Sequence, residues 1–264
     1  MLILNEERYA KDLYDGKNQD VKSIMAKIRY ITRYLVHSEL KSDDEAYRET
    51  VRWLECNHNN FDESSYSNVI SDAVKAADKY PFYIIDHIKI TQSELDIISS
   101  LNNLRAEKIL FVLLCMAKQQ SMANGFTNGL VKYSMTDLCK AARVSVPADD
   151  REYILYEIVK KGLLGYPKKN NTQCLIVNFI DCNEVELELD EDDCRELAYA
   201  YLNWKHDGKG YTKCQRCNRW MKQSKTKPKK YCEDCAKIVE REQTRERVRR
   251  YRKRCNGNHT QQND

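Results

Sequence analysis

The chain has 264 residues, 42% hydrophobic and 32% charged, with a formal net charge of +4. That length allows one or two modest domains plus a small module, and the apolar fraction supports a real core. Only 8 Gly and 4 Pro favour helices and short turns over an all-β plan. No run is long enough for a membrane span; the longest apolar stretch, Ile109 to Ala117, is short and helical in spacing. The start of the chain lacks the basic and apolar segments of a signal peptide. The 11 cysteines suit a reducing compartment, where a metal site and scattered buried thiols account for them. A cytoplasmic protein with no membrane partner is expected.

Residues 1 to 81 read as a helical N-terminal region. Ile24, Ile28, Ile31 and Leu35 recur at helical spacing, as do Tyr47, Val51 and Leu54, and then Val69, Ile70, Ala73, Val74 and Ala77. Lys41-Ser42-Asp43-Asp44 and Glu63-Ser64-Ser65 offer caps for the second and third of these helices. Residues 82 to 204 form the next unit. It opens on a β-prone piece, Phe82 to Ile90, followed by a capping box from Thr91 to Glu94 that starts a helix. A hydrophobic helix over Leu104 to Gln120 follows, and then a loop through Asn124-Gly125 and Asn128-Gly129. A short helix over Thr136 to Ala142 comes next, and a longer one runs from Pro147 to Lys161. Leu163–Tyr166 and Cys174–Ile180, around Lys168-Lys169-Asn170-Asn171, read as a β-hairpin. This succession resembles a winged helix, a helix-turn-helix with a β wing. Val185, Leu187 and Leu189 alternate with acids as a half-exposed strand, and a helix from Glu191 to Trp204 ends the unit. The fold class is therefore mainly α, of α+β type.

Residues 205 to 210 are polar, contain two glycines and read as a linker. Beyond them lie the most specific residues of the chain. Cys214 and Cys217 form one CxxC dyad, Cys232 and Cys235 another, with fourteen residues between. Cysteines at i and i+3 turn both sulfurs inward on a tight knuckle. Two knuckles place four thiolates around a tetrahedral metal, for which zinc is the usual occupant. Paired disulfides or a thioredoxin-like centre are the alternatives, but a redox CxxC normally stands alone beside a βαβ pattern. A closed four-thiolate site leaves no open coordination position, so the metal would fold the segment and not catalyse. A helix over Ala236 to Arg254 completes a module at 211 to 255, and residues 256 to 264 read as a disordered tail.

Charge distribution suggests what the module displays. Residues 205 to 255 carry 19 Lys/Arg against 6 Asp/Glu, a net +13, so the rest of the chain must sum to −9. An acidic body with a basic module points to a polyanionic partner, a nucleic acid, with DNA preferred to RNA. Arg219, Trp220, Lys222, Lys225, Lys227, Lys229 and Lys230 lie between the dyads. The basic residues can track phosphates, and Trp220 can stack on a base or pack on the knuckle. Arg241, Arg245, Arg249 and Arg252 step by four, four and three and share a helix face. In the winged-helix-like part, Lys168 and Lys169 can reach phosphates from the wing. The helix in the recognition position opens with Asp149, Asp150 and Glu152, which would repel a phosphate backbone. The acidic body could instead dock a protein. No catalytic motif is present: the five histidines stand apart, and no HExxH, Walker or GxSxG pattern occurs.

Three segments carry a resemblance: Cys214-Gln215-Arg216-Cys217, Lys230-Tyr231-Cys232-Glu233-Asp234-Cys235, and the Arg-rich run from Arg245 to Arg252. With the phrase Leu104 to Ala117, they resemble proteins encoded by phages and prophages of low-GC Gram-positive bacteria. Those proteins share a helical N-terminal part, a winged-helix-like centre and a C-terminal zinc ribbon ending in an Arg-rich helix. The resemblance implies a role in phage replication or gene control.

Overall fold

The computed structural model describes residues 2–17, 23–125, 129–168, 174–224 and 226–259, with side chains through Arg252 in the last segment. The chain is helix-rich, with small antiparallel sheets and a cluster of four cysteines near its C-terminus. Among the described residues no helix is long and apolar enough to cross a membrane.

The N-terminal part packs α1 (Glu6–Tyr14), α2 (Ile24–His37), α3 (Asp43–Asn57) and α4 (Glu63–Ala77) around one core. Ile28, Ile31, Leu35, Leu54 and Ile70, from the apolar stripes of α2, α3 and α4, meet there with Leu13 of α1, a helix that the spacing does not single out. Ser42 caps α3 through a capping box with Glu45. The cap of α4 is Asp62, not the Glu-Ser-Ser run: its carboxylate accepts the Ser65 N–H, and Glu63 already lies inside the first turn, where its charge suits the helix dipole.

The second core is built on α6 (Leu104–Asn124), preceded by β1 (Ile88–Thr91) and α5 (Gln92–Ser99). Every residue of α6 from Ile109 to Cys115 is buried, so the helix is an axle wrapped on all sides and not a surface helix with one apolar face. Around it lie β2 (Leu130–Lys132), α7 (Met135–Ala141), α8 (Ala148–Lys160), β3 (Leu164–Gly165) and β4 (Cys174–Val177). The expected hairpin of β3 and β4 is present, but it is part of a three-stranded antiparallel sheet in the order β2-β4-β3. The third strand comes from the stretch expected as loop, since three residues are too few to show alternation. Gly129 allows the join: its φ is +65°, and a Cβ there would strike the Val177 carbonyl.

The acidic strand β5 (Val185–Leu189) pairs antiparallel with β1, Ile88 opposite Leu189. The helix expected over 191 to 204 is two pieces, α9 (Glu191–Cys194) and α10 (Leu197–Lys205). Asp190 caps α9 in a capping box with Asp193, a local arrangement that suits a one-turn helix better than a long one. The N-terminal part joins this core through a main-chain bridge between Asn5 and Ile84 and an ion pair of Arg8 with Glu191 at 3.0 Å.

Candidate metal centre and its basic surroundings

The stretch expected as a linker is a hydrogen-bonded turn. Gly208 N–H donates to the Asn203 carbonyl at 2.8 Å, and Asp207, Gly208 and Gly210 all take positive φ. The turn delivers the chain into a hairpin of β6 (Tyr211–Lys213) and β7 (Trp220–Lys222), paired Lys213 to Trp220. The first dyad sits at the tip of this hairpin. Cys214 N–H donates to the Arg219 carbonyl and Asn218 N–H to the Cys214 carbonyl, both at 3.0 Å. Asn218, at φ +54°, takes the left-handed turn that closes the knuckle. The second dyad lies at the start of α11 (Glu233–His259). That helix starts three residues before the position its sequence suggests, because Cys232 and Cys235 themselves form its first turn: Ala236 N–H already donates to the Cys232 carbonyl at 2.8 Å. At the other end its backbone continues through residues 256 to 259, which the sequence suggests are tail; residues 260 to 264 lie outside the described part.

The two knuckles meet. One sulfur from each of Cys214, Cys217, Cys232 and Cys235 lies within 4.8 Å of all the others, and Cys217 and Cys232 Sγ are 3.7 Å apart. A tetrahedral zinc with bonds of about 2.3 Å would set its sulfurs about 3.8 Å apart. The donor set is therefore compatible with zinc, and the four residues can hold a metal ion with no position left open. Main-chain N–H groups are turned toward the sulfurs, as from Cys232 to Cys214 Sγ at 3.3 Å. Burial opposes ionisation of Cys214, yet the N–H donors of Cys232, Arg216 and Cys217 hold its thiol down to about 6. Cys217 and Cys235 are pushed up, first by burial and, for Cys235, next by the neighbouring sulfurs. One thiolate thus forms readily while its neighbours resist, a repulsion that a divalent cation relieves. The ribbon needs such help: among the described residues its buried ones are Cys214, Met221 and Cys235.

The ribbon is docked on the body. Trp220 Nε1 donates to Asp193 Oδ1 at 2.7 Å, and Lys213 Nζ meets that same oxygen at 2.7 Å. Tyr211 packs between Tyr199 and His206, with ring centroids at 5.4 and 6.3 Å. Trp220 is held as a packed anchor, with the Lys213 ammonium 5.4 Å from its ring centre. Asp193 could not be found from sequence, since an acid inside a capping box looks complete without a distant partner.

The basic residues divide into engaged and free. Arg216 forms a two-pronged pair with Glu242 at 2.7 and 2.9 Å, bracing α11 against the first knuckle. Arg219 pairs with Asp234 at 3.4 Å. Lys222, Lys227, Lys229 and Lys230 are exposed, and among the described residues none makes an ion pair. Lys225 and Lys169 lie outside the described residues, and Lys168 is exposed beyond β3. Arg241, Arg245, Arg249 and Arg252 are exposed on α11, within an arc of about 80° at 3.6 residues per turn. No acid from Glu240 onward falls in that arc; Glu242 is turned to Arg216 and Glu246 to Arg250. On α8, Asp149, Asp150 and Glu152 are exposed, beside the exposed rings of Tyr153 and Tyr156.

No protein-family model matches the chain, and neither a curated protein nor a solved structure is significantly similar to it.

Proposed function

We propose that this chain is a zinc-stabilised nucleic-acid-binding accessory protein that grips the phosphate backbone with its ribbon and its Arg-rich helix. The observation that carries the reading is the arginine face of α11: four exposed guanidiniums in one arc, none in an ion pair among the described residues, on a helix whose nearby acids are used elsewhere. A helix that only needed solvation would interleave its charges. Lys222, Lys227, Lys229 and Lys230 extend the positive surface. The metal's role is to hold the knuckles, and so the base of α11, in place. The order α6, β2, α7, α8, β3, β4 with its three-stranded sheet supports a winged-helix reading of the centre. Its acidic α8 favours a scaffold role there over base reading. The resemblance to phage-encoded proteins suggests that the process served is phage replication or gene control.

The test is binding of the full chain to duplex DNA, single-stranded DNA and RNA across a salt series. Affinity falling steeply and log-linearly with salt is expected. No binding to any of the three would sink the proposal.

A second reading, a protein adaptor, draws on a different observation. Tyr153, Tyr156 and Tyr166 are 64, 58 and 61% exposed, on α8 and just past β3, with Asp149, Asp150 and Glu152 nearby in sequence. Exposed tyrosines among acids suit a basic protein surface. Partner capture that survives reversal of the arginine face and is lost in Tyr153→Ala/Tyr156→Ala would favour it.

A further inference from the structure

Between the ribbon, the start of α11 and the body lies a cleft of about 760 Å³. Its two walls differ in charge. On one, acids and arginines neutralise each other: Arg143 clasps Glu196 at 2.6 and 2.7 Å, and Arg219 faces Asp234. On the other stand Lys222, Lys227, Lys229 and Lys230, unpaired among the described residues; the exposed Glu233 offsets one of them, and the cleft stays net positive. This lysine wall is preorganised by Gln223. Its side-chain amide donates to the Lys229 carbonyl at 2.9 Å and accepts the Lys229 N–H at 2.8 Å, closing the loop as a backbone pair would. The Lys230 carbonyl is held by Gln215 N–H at 3.0 Å.

The cleft also holds an aromatic ring that packs against the ribbon's buried cluster of Cys214, Met221 and Cys235 but stacks on no other ring among the described residues. Tyr199 is covered by Arg143, whose guanidinium is 4.5 Å from the ring centre, and by Tyr211. Trp220 is tied to Asp193 and Lys213. Tyr231 is half-buried, lines the cleft beside Lys230, and makes no ring stacking, cation–π pairing or side-chain hydrogen bond among the described residues.

We infer that this cleft takes unpaired nucleotides, with the base against Tyr231 and the phosphates along Lys222, Lys227, Lys229 and Lys230. The inference rests on the nucleic-acid reading above and names the substrate class of its ribbon. A duplex displays its phosphates on a convex surface and keeps its bases stacked inside, so it can lie on α11 but cannot offer a base to a recessed ring. An unpaired strand can offer both at once. The cleft's volume falls within the range of sites that enclose a small ligand, about 300 to 1,000 Å³.

The experiment uses the full zinc-loaded chain with blunt duplex DNA, the same duplex carrying a short unpaired tail, and a tailed RNA duplex. A fluorescent aminopurine is placed in each tail. The tailed duplexes should bind about tenfold more tightly than the blunt one, the usual effect of one stacked base. The aminopurine should be quenched on binding. Tyr231→Leu keeps an apolar side chain at the knuckle, and should abolish both effects while leaving blunt-duplex affinity unchanged. Lys227→Ala/Lys229→Ala/Lys230→Ala alters only exposed side chains, so it tests the cleft even if Tyr231→Leu fails to fold; it too should abolish the tail preference. Equal affinity for tailed and blunt duplexes would overturn the cleft assignment while leaving the nucleic-acid reading intact. A tail preference that survives the triple substitution would do the same. Binding of a polyglutamate peptide that needs the three lysines, with no tail preference, would reassign the cleft to acidic protein segments. Absence of binding to every nucleic acid would remove the underlying reading itself.

Discussion

Asp193 and Trp220 stand 27 residues apart in the chain, and the indole Nε1–H of one meets the carboxylate of the other at 2.7 Å. Asp193 is 6% exposed and already serves the cap of α9, where its second oxygen accepts the Asp190 N–H at 3.1 Å. One carboxylate therefore fixes a local turn and the seat of the ribbon. The consequence for function is orientation: the basic loop and the base of α11 are presented at a set angle to the body.

Asp193→Ala should loosen this seat. A buried hydrogen bond to a charged acceptor contributes about 2 kcal/mol, and the substitution also leaves the Lys213 ammonium with Asp190 alone, at 3.6 Å. Amide exchange in β6 and β7 should accelerate while exchange in α6 stays slow. Unchanged exchange in the hairpin would remove Asp193 from its docking role.

Metal removal should have a bounded effect. Cys214→Ser or Cys232→Ser, or a strong chelator, should unfold residues 211 to 235 and free α11, because the ribbon's own core is Cys214, Met221 and Cys235. The helical signal of α1 to α6 should persist, since those elements pack in two separate cores. Full metal content in both variants, measured by elemental analysis, would defeat the metal reading.

Reversing Arg245, Arg249 and Arg252 to Glu should weaken nucleic-acid binding and reduce the salt slope by about 3, one for each phosphate no longer neutralised. All three side chains are exposed, so stability should change little. An unaltered slope would take the helix out of the interface.

Glu107 is a buried acid inside α6, 1% exposed, accepting from Tyr201 Oη at 3.0 Å and from the Lys205 ammonium. Glu107→Ala removes the acid from Lys205 and leaves Tyr201 Oη only Ser99 Oγ at 3.4 Å, and should cost about 3 kcal/mol in urea unfolding. Because Lys205 ends α10, from which the chain turns into the ribbon, binding should fall as well. A loss under about 1 kcal/mol would show that solvent satisfies both groups.

Gly129→Ala should destabilise the central sheet by about 2 kcal/mol. The new methyl would meet the Val177 carbonyl, and φ of +65° is strained for any L side chain. Wild-type stability in this variant would mean that the β2–β4 join can shift to accept a methyl group.

How legible a given element is depends on how local its cause is. Helices α2, α3 and α4 are readable because each writes its own apolar stripe. The four-cysteine cluster is readable because i, i+3 spacing is itself the geometry of a knuckle. The capping box at Thr91 is readable too, since Thr91 and Glu94 complete it within one turn. What cannot be read is that Glu94 is 0% exposed and also takes the Lys118 ammonium at 2.8 Å and the Asp181 N–H at 2.8 Å. Strand β2 escapes because three residues carry no period. The split of α9 from α10 escapes because apolar spacing does not register where a turn ends.

Spacing and charge act over a few residues, and they suffice to specify a helix-rich chain, a four-cysteine cluster and a basic module on an acidic body. Which charges are used up and which remain free is fixed by the folded chain alone. Arg219 looks like a phosphate ligand until Asp234 is seen to claim it, and Arg216 is spent on Glu242. Trp220 can stack or pack by its sequence until Asp193 takes its N–H and seats it as an anchor, and Tyr231, packed on the ribbon cluster, is the ring that lines the cleft beside Lys230. The reason is physical: a side chain's availability depends on which groups from distant elements reach it, and that is settled by packing across the whole chain.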